Sequence, residues 1–317
     1  MAECMIMRRG GLDYGDLACQ PLRFEAAPGI LAAHLQWTPP VGDPQYTGVR
    51  ICRKEGADPA APEDGVLLYE GAGNAYTDEG LTEGKTYHYR AFARNRQGLY
   101  QTARCVAALT AASSIPLANA AVGQEVQLKE SDVWQAYLVV KHGYPTAGNG
   151  RTLLLRKDLF TLRIFTSHLV NEYADSTLDT GCTMLLEKLD AAVQALIEPV
   201  EVEYTTGDPH RLTRLSRKVF APSATEVGLD TGINANREGA TLALLADHPE
   251  LLPALWRDKA NDWWLRTPDV TTTDKVFSVT AAGAVGQAAV NKALGLRPML
   301  TLPSGGVRID AQGHILI

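Results

Sequence analysis

The chain holds 317 residues, 45% of them hydrophobic and 21% charged, with a formal net charge of −6; this is the balance of an ordinary globular protein long enough for two domains. Diffuse negative charge argues against a nucleic-acid partner, which needs a clustered basic face, and the one basic group, Arg211, Arg214, Arg217 and Lys218, is spaced like one side of a short helix or an extended strand and reads as a solvated face. No stretch approaches about 18 unbroken apolar residues, so no membrane span is expected, and the first ten residues lack the apolar run of a signal peptide.

Five cysteines (Cys4, Cys19, Cys52, Cys105 and Cys182) form no CxxC pair and have no histidine at ligand spacing. The pattern disfavours zinc and a disulfide scaffold alike, and points to folding in a reducing cytoplasm. Cys52 and Cys105 sit in apolar alternating runs and are expected in the core. No cofactor and no metal is expected.

After an N-terminal segment (1–19), residues 20–110 are punctuated like short antiparallel strands. Residues 29–37 alternate around Leu31, Ala33, Leu35 and Trp37, and Pro39 and Pro40 stop the run. Residues 48–54 put Val49, Ile51 and Arg53 on one face, with Arg50, Cys52 and Lys54 on the other. A loop rich in Pro, Ala and Asp leads to a strand over 66–69 and a turn at 71–74. Leu81 before a turn, followed by Tyr87 and Tyr89 alternating into a strand, has the tyrosine-corner arrangement that closes β-sandwiches. Trp37, Tyr46-Thr-Gly48, Thr77-Asp78, Leu81 and Tyr87-His-Tyr89-Arg-Ala together resemble a fibronectin type III domain over about 90 residues. Such modules are commonly spacers or docking units, and the fold alone implies no activity.

A small-residue segment, 111–122, is expected as a linker or a covered domain boundary. The remainder, 123–317, reads as an α+β domain. Strands are predicted over 123–128, 134–141 and 151–156, the last two joined through a loop at 142–150. Asp175-Ser176-Thr177 can cap a helix carrying Leu178, Leu185, Leu186, Leu189, Val193 and Leu196, ended by Pro199. Ser223 and Glu226 have capping-box spacing, with a short helix or turn after them. Residues 241–246 and 248–257 read as helical or turn-rich, with Asp258 and Asp262 one helical turn apart on a solvated face. Strands follow over 276–280, 300–302 and 306–309, with a turn at 281–284.

Several blocks here stand in one order: Leu153-Leu-Leu-Arg-Lys157, Asn171-Glu-Tyr-Ala-Asp-Ser176, Arg217-Lys-Val-Phe-Ala-Pro-Ser-Ala-Thr-Glu226, Trp263-Trp-Leu-Arg-Thr-Pro268, Val279 with Ala282-Gly283, and Leu296-Arg-Pro298. That order resembles a domain family of uncharacterised function found in bacterial surface proteins and in tail proteins of phages infecting Gram-positive bacteria. The tryptophan segment and its Arg-Pro ending are also similar to the C-type-lectin-like fold of formylglycine-generating-enzyme relatives and retroelement-diversified receptor-binding proteins. The opening residues 2–11 resemble the starts of phage structural proteins.

These resemblances imply a sandwich followed by a C-type-lectin-like α+β domain in a phage or prophage tail protein. The implied role is a tail-tip or receptor-binding accessory that recognises a host surface glycan or protein. The implied partners are other tail proteins and further copies of the chain, assembled in the host cytoplasm into the virion. A purely structural assembly protein and a bacterial surface adhesin are the alternatives.

The expected ligand surface surrounds the tryptophan segment. Trp264 is a candidate stacking group, and Arg266 and Asp269 could orient a ligand through charge-assisted hydrogen bonds. Thr272, Asp274, Lys275 and Asn291 would form the rim. The competing reading makes Trp263, Trp264 and Leu265 a core strand with Arg266 paired internally, and it is the stronger of the two for the tryptophans. Asp269 and Asp274 are too few carboxylates for calcium. An enzyme is not expected: Ser167, His168 and Cys182 lack a third group, and no cysteine follows Cys182 to support formylglycine-generating chemistry.

Overall fold

Period-two alternation in the first part of the chain produces seven strands, β1 (Phe24–Gly29), β2 (Ala32–Trp37), β3 (Tyr46–Glu55), β4 (Val66–Gly71), β5 (Ala75–Glu79), β6 (Thr86–Asn95) and β7 (Val106–Thr110). The computed structural model describes residues 23–317 except 41, 102–104 and 147, so the segment 1–19 and its two cysteines lie outside the described residues. The chain divides into two compact units, Met1–Ile115 and Pro116–Ile317, and each is considered by itself.

In the first unit, β1-β2-β5 form one antiparallel sheet and β4-β3-β6-β7 the other. This is the strand order of a fibronectin III or immunoglobulin-like sandwich. Ala33, Leu35 and Trp37 from β2 face Val49 and Ile51 of β3 across a core that Tyr89 and Ala91 of β6 complete, while His34 and Gln36 point outward. Leu31, expected to lead the second strand inward, sits at φ 48° in the turn before it, so the strand starts at Ala32. The tyrosine corner is present. Tyr87 Oη accepts the Thr82 N–H at 3.2 Å beside Leu81, only 3% exposed. One residue pair further along β6, Tyr89 donates to buried Asp78 (2.9 Å), which also holds Arg53 (2.8 Å).

The second unit follows β8 (Ser114–Pro116). Its strands and helices are β9 (Glu125–Glu130), β10 (Val133–His142), β11 (Arg151–Arg156), β12 (Thr161–Ile164), α1 (Thr177–Lys188), α2 (Ala191–Leu196), β13 (Val200–Thr205), β14 (Leu212–Arg217), β15 (Val219–Phe220), α3 (Ala243–Asp247), β16 (Ala254–Trp256), β17 (Lys259–Asn261), β18 (Trp263–Pro268), β19 (Lys275–Val279), β20 (Val285–Ala289), β21 (Ala293–Leu296), β22 (Met299–Pro303), β23 (Arg308–Asp310) and β24 (Ile315–Leu316). One five-stranded sheet runs β15-β22-β11-β10-β9 and a second runs β12-β21-β18-β19-β20, with β13-β14 and β16-β17 as separate hairpins. Leu153 and Leu155 of β11, Met299 of β22, Phe220 of β15, and Trp263 and Leu265 of β18 share one core. Every residue of β18 is buried, because this strand is central in its sheet and covered on both faces. It meets β21 in parallel at Trp263–Gly295, where a side chain on Gly295 would collide with Leu159 at 2.4 Å.

Several expectations are corrected. Of the two expectations for residues 111–122, the free linker is excluded: Ala111 belongs to the sandwich core, while Leu117, fully buried, donates its N–H to Val307 of the second unit. The helix expected over 178–196 is two helices. Ser176 caps α1, accepting the Asp179 N–H at 3.1 Å, but Leu189 turns extended to bridge Glu130 of β9, and the helix restarts after Asp190. Asp258 does not lie on a helix face. It shares with Arg257 the two-residue turn of the β16–β17 hairpin, at φ 65° and 50°, and Asp262 precedes β18. The basic group at 211–218 lies on and beside β14, with Arg217 drawn into an ion pair with buried Asp179 (2.8 Å) and Arg214 paired with Glu203 (3.2 Å).

Candidate functional site

The two tryptophans use their only polar atoms internally. Trp263 Nε1 donates to the Leu252 carbonyl and Trp264 Nε1 to that of Arg163, each at 2.9 Å, and Trp264 packs edge-on against Phe165 at 5.6 Å. Both rings are fully buried. Trp264 therefore presents no face to a ligand, and its expected stacking role is withdrawn. Burying about 200 Å² of each indole, at about 25 cal/mol per Å², contributes roughly 5 kcal/mol apiece before entropy is deducted.

Arg266 is also fully buried. Between Trp264 and Pro268 the β18–β19 pairing is interrupted, and the Arg266 N–H turns instead to the Pro222 carbonyl (2.9 Å). The side chain then reaches three acceptors: Glu203 O from Nε (2.8 Å), and Ala221 O and Glu226 Oε2 from Nη1 (both 2.7 Å). Burial alone would lower its pKa, but the charges of Glu226 and Glu238 outweigh that and hold the guanidinium firmly protonated. Arg266 is thus an internal organiser rather than a rim residue.

Asp269, 4% exposed, is likewise committed. Its Oδ1 accepts the Thr271 N–H and hydroxyl, and Oδ2 accepts Gln287 Nε2. Buried Asn171 gathers the same loop, its Nδ2 lying 2.9–3.0 Å from the carbonyls of Asp269, Thr272 and Lys275. Thr272 is half-buried, and Asp274, Lys275 and Asn291 are exposed. Four of the seven expected ligand residues reach solvent, then, and Trp264, Arg266 and Asp269 do not.

A concave feature adjoins the Arg266 network through Glu226. A cleft of about 390 Å³ is lined by Tyr144, Glu203 and Glu226, with Glu201, Lys141 and Arg214 at its mouth and Gly239 and Leu242 along one wall. Its volume falls in the range of small-molecule sites. Glu226, 1% exposed, forms the floor. The capping-box pair is made as the spacing predicts: Ser223 N–H donates to Glu226 Oε2 (2.9 Å) and Glu226 N–H to Ser223 Oγ (3.1 Å). It closes a turn that fixes the carboxylate. Arg266 reaches that carboxylate from behind, and Tyr144 Oη approaches Oε1 from the cleft side at 3.3 Å. Burial, then the neighbouring Glu226 charge, pushes the Tyr144 phenol far up, so it remains a neutral donor. Glu203 accepts the Gly239 N–H (3.0 Å) and Arg214 (3.2 Å), which hold its carboxyl below the usual range. Beside Arg266, Glu238 takes the Thr205 N–H (2.7 Å) and the Thr267 hydroxyl (2.6 Å), and burial raises its carboxyl.

This geometry can hold and orient a polar molecule. The nucleophile candidates of the sequence, Cys182 and Ser167 with His168, stand in other surroundings. Cys182 is wholly buried, its thiol pushed up to about 12 by burial and then by the Asp179 charge, with the Tyr173 hydroxyl 3.8 Å from its sulfur. Ser167 and His168 are exposed. Among the described residues no group of three His, Cys, Asp or Glu side chains is arranged to hold a metal ion.

Tyr144 and Glu203 escaped the sequence reading. Tyr144 stands in a stretch that reads as a loop tip, and β13 carries no turn chemistry that flags Glu203. Only Glu226 left a signal, as the last residue of the capping box.

A family model described as a domain of unknown function, DUF6273, matches residues 149–304, within the second unit. No curated protein matches the chain. Among solved structures, titin module A71 from human cardiac muscle is 18% identical, over 28% of this chain and 88% of its own, with a TM-score of 0.23. The fibronectin type III domain of human fibronectin type III domain containing protein 3 is 22% identical, over 30% of this chain and 89% of its own, at 0.23. The twitchin kinase region from C. elegans is 13% identical, over 67% of this chain and 42% of its own, at 0.24. The strand order of the first unit, rather than these scores, assigns it to the fibronectin III or immunoglobulin-like sandwiches.

Proposed function

We propose that this chain is a non-catalytic recognition component of a phage or prophage tail. In this reading the second unit is a C-type-lectin-like module that holds a host surface glycan or protein, and the sandwich serves as a spacer or docking module among other tail proteins and further copies of the chain. The observation that carries the binding role is the preformed cleft, whose floor carboxylate is fixed from behind by Arg266 at 2.7 Å. A ligand meets a rigid acceptor there and need not order it. The ordered blocks from Leu153 to Pro298 support the tail assignment through their resemblance to tail proteins of phages of Gram-positive bacteria.

The test is binding of the purified full chain to Gram-positive cells and isolated cell walls. Ala240 lines the cleft at an exposed position, so binding that falls at least tenfold in Ala240→Arg, with thermal unfolding of the second unit shifted only slightly, is the expected result. A chain that ignores every cell wall, or binds equally well as Ala240→Arg, refutes recognition at the cleft. Association only with other tail proteins would return the chain to the structural alternative.

A further inference from the structure

The cleft's donors and acceptors are unequally committed, and that imbalance bears on what it takes. Glu226 Oε2 is filled by Arg266 Nη1 and the Ser223 N–H. Among the described residues Oε1 has only the Tyr144 hydroxyl, at 3.3 Å, whereas a hydroxyl bonded well to a carboxylate lies at about 2.5–2.7 Å. The buried floor therefore carries one acceptor that a closer donor can satisfy better. Space in front of it is kept open by a residue without a side chain. Gly239 sits at φ 76°, and a methyl group there would stand 3.0 Å from Oε1.

The charged groups around this acceptor set the sign of the ligand. Glu201, Glu203 and Glu226 face Lys141 and Arg214. Arg214 is held by Glu203 at 3.2 Å, and Arg266 lies behind the floor with its charge spent on Glu226. Glu203 and Arg214 offset each other, so an anionic ligand would meet the cleft-facing Oε1 of Glu226 and the unpaired Glu201, with Lys141 as the one lining cation not drawn into an ion pair among the described residues. Like charges brought together in a partly dehydrated site are strongly disfavoured. A ligand with several O–H or N–H donors meets no such penalty.

Resting on the reading of the cleft as the recognition site, we propose that it selects a polyhydroxylated ligand bearing no negative charge, a neutral or amine-bearing sugar, which donates a hydrogen bond to Glu226 Oε1. Binding displaces the long Tyr144 contact, and Glu201 at the mouth favours an ammonium group over a bare hydroxyl.

Amide chemical-shift mapping on the full chain at low salt, with D-glucose, D-glucosamine and D-glucuronate as separate millimolar probes, tests this. Glucose and glucosamine are expected to shift the amides of Gly239, Ala240 and Leu242, and glucuronate to leave them in place. Glu201→Gln, at an exposed position, should weaken glucosamine by about threefold, the scale of an exposed charge pair, and leave glucose unchanged. Tyr144→Phe removes the competing hydroxyl and should tighten both sugars. Gly239→Ala should abolish the shifts; Tyr144→Phe and Glu201→Gln carry the test if that variant folds poorly. Glucuronate shifting these amides as strongly as glucosamine overturns the selectivity while leaving the cleft as a site. No shift from any probe overturns the proposal, and cell-wall binding by the same sample would then locate recognition elsewhere on the chain.

Discussion

Arg266→Met separates an internal organiser from a ligand contact on energetic grounds. The substitution keeps an unbranched side chain of similar length but removes the donors to Glu203 O, Ala221 O and Glu226 Oε2. Removing one partner of a buried ion pair costs about 3–5 kcal/mol, a figure that already contains part of the penalty for carbonyls left without donors. One term opposes it: Arg266 Nη2 is buried with no acceptor, and deleting such a donor returns about 1–2 kcal/mol. The expected net loss is about 3 kcal/mol. Urea unfolding of the full chain followed by tryptophan fluorescence reads the second unit, which holds Trp134, Trp256, Trp263 and Trp264 against Trp37 alone in the first. With a slope of about 3 kcal/mol per M, the midpoint of that transition should fall by about 1 M. Glu226→Gln alone should also destabilise, and the double variant should lose less than the sum, because one contact cannot be removed twice. A rim residue would behave differently, its replacement changing stability by no more than about 0.5 kcal/mol. A shift that small, or strict additivity with Glu226→Gln, would refute the buried network as the support of the cleft.

Asn171→Ala withdraws the donor shared by the carbonyls of Asp269, Thr272 and Lys275; a loss of about 2–3 kcal/mol is expected, with faster amide exchange confined to 269–275, and unchanged exchange there would contradict it. Glu238 has its carboxyl raised by burial, so in the window opening near the ordinary value of about 4.3 the folded state binds more protons than the unfolded one and stability is lost as pH rises. Glu238→Gln should flatten that dependence, so that the variant gains on the parent as pH rises from about 4; parallel pH–stability curves would count against the assignment. Cys182, its thiol held near 12 in a closed core, should resist an aromatic disulfide reagent at pH 8 in the folded protein and react once urea unfolds it. Reaction at the rate of a free thiol would show that the core around α1 opens.

Local pattern made the sandwich legible and long-range pairing hid most of the site. Trp37, Leu81 and Tyr87 announce their places because alternation and the tyrosine corner act over a few residues, and Thr82 meets Tyr87 five positions away. The break in the helix after Lys188 could not be read this way, since Leu189 is drawn into an extended bridge by Glu130, distant in sequence. The hairpin turn at Arg257 and Asp258 was missed for a different reason. Both residues hold positive φ without the Asn-Gly or Gly-Gly pair that normally marks such a turn. The cleft unites Tyr144, Glu203 and Glu226 from three separate segments, and of these only the Ser223–Glu226 pair follows a local rule.

The tryptophan segment illustrates how burial on both faces redirects a functional reading. An exposed strand would offer every second side chain to solvent, and Trp264, Arg266 and their neighbours would then form a plausible contact row. β18 is central in its sheet, so all six of its residues are covered, and a charge on it must be satisfied inside. Arg266 meets that requirement by leaving the regular ladder and turning toward the segment 221–226 and the carbonyl of Glu203. The same bonds fix the Glu226 carboxylate and anchor β13 beneath the cleft. An interruption in one strand therefore links the core to the candidate site, and variants that restore apolar packing at 266 without Glu226 should recover stability more readily than ligand binding.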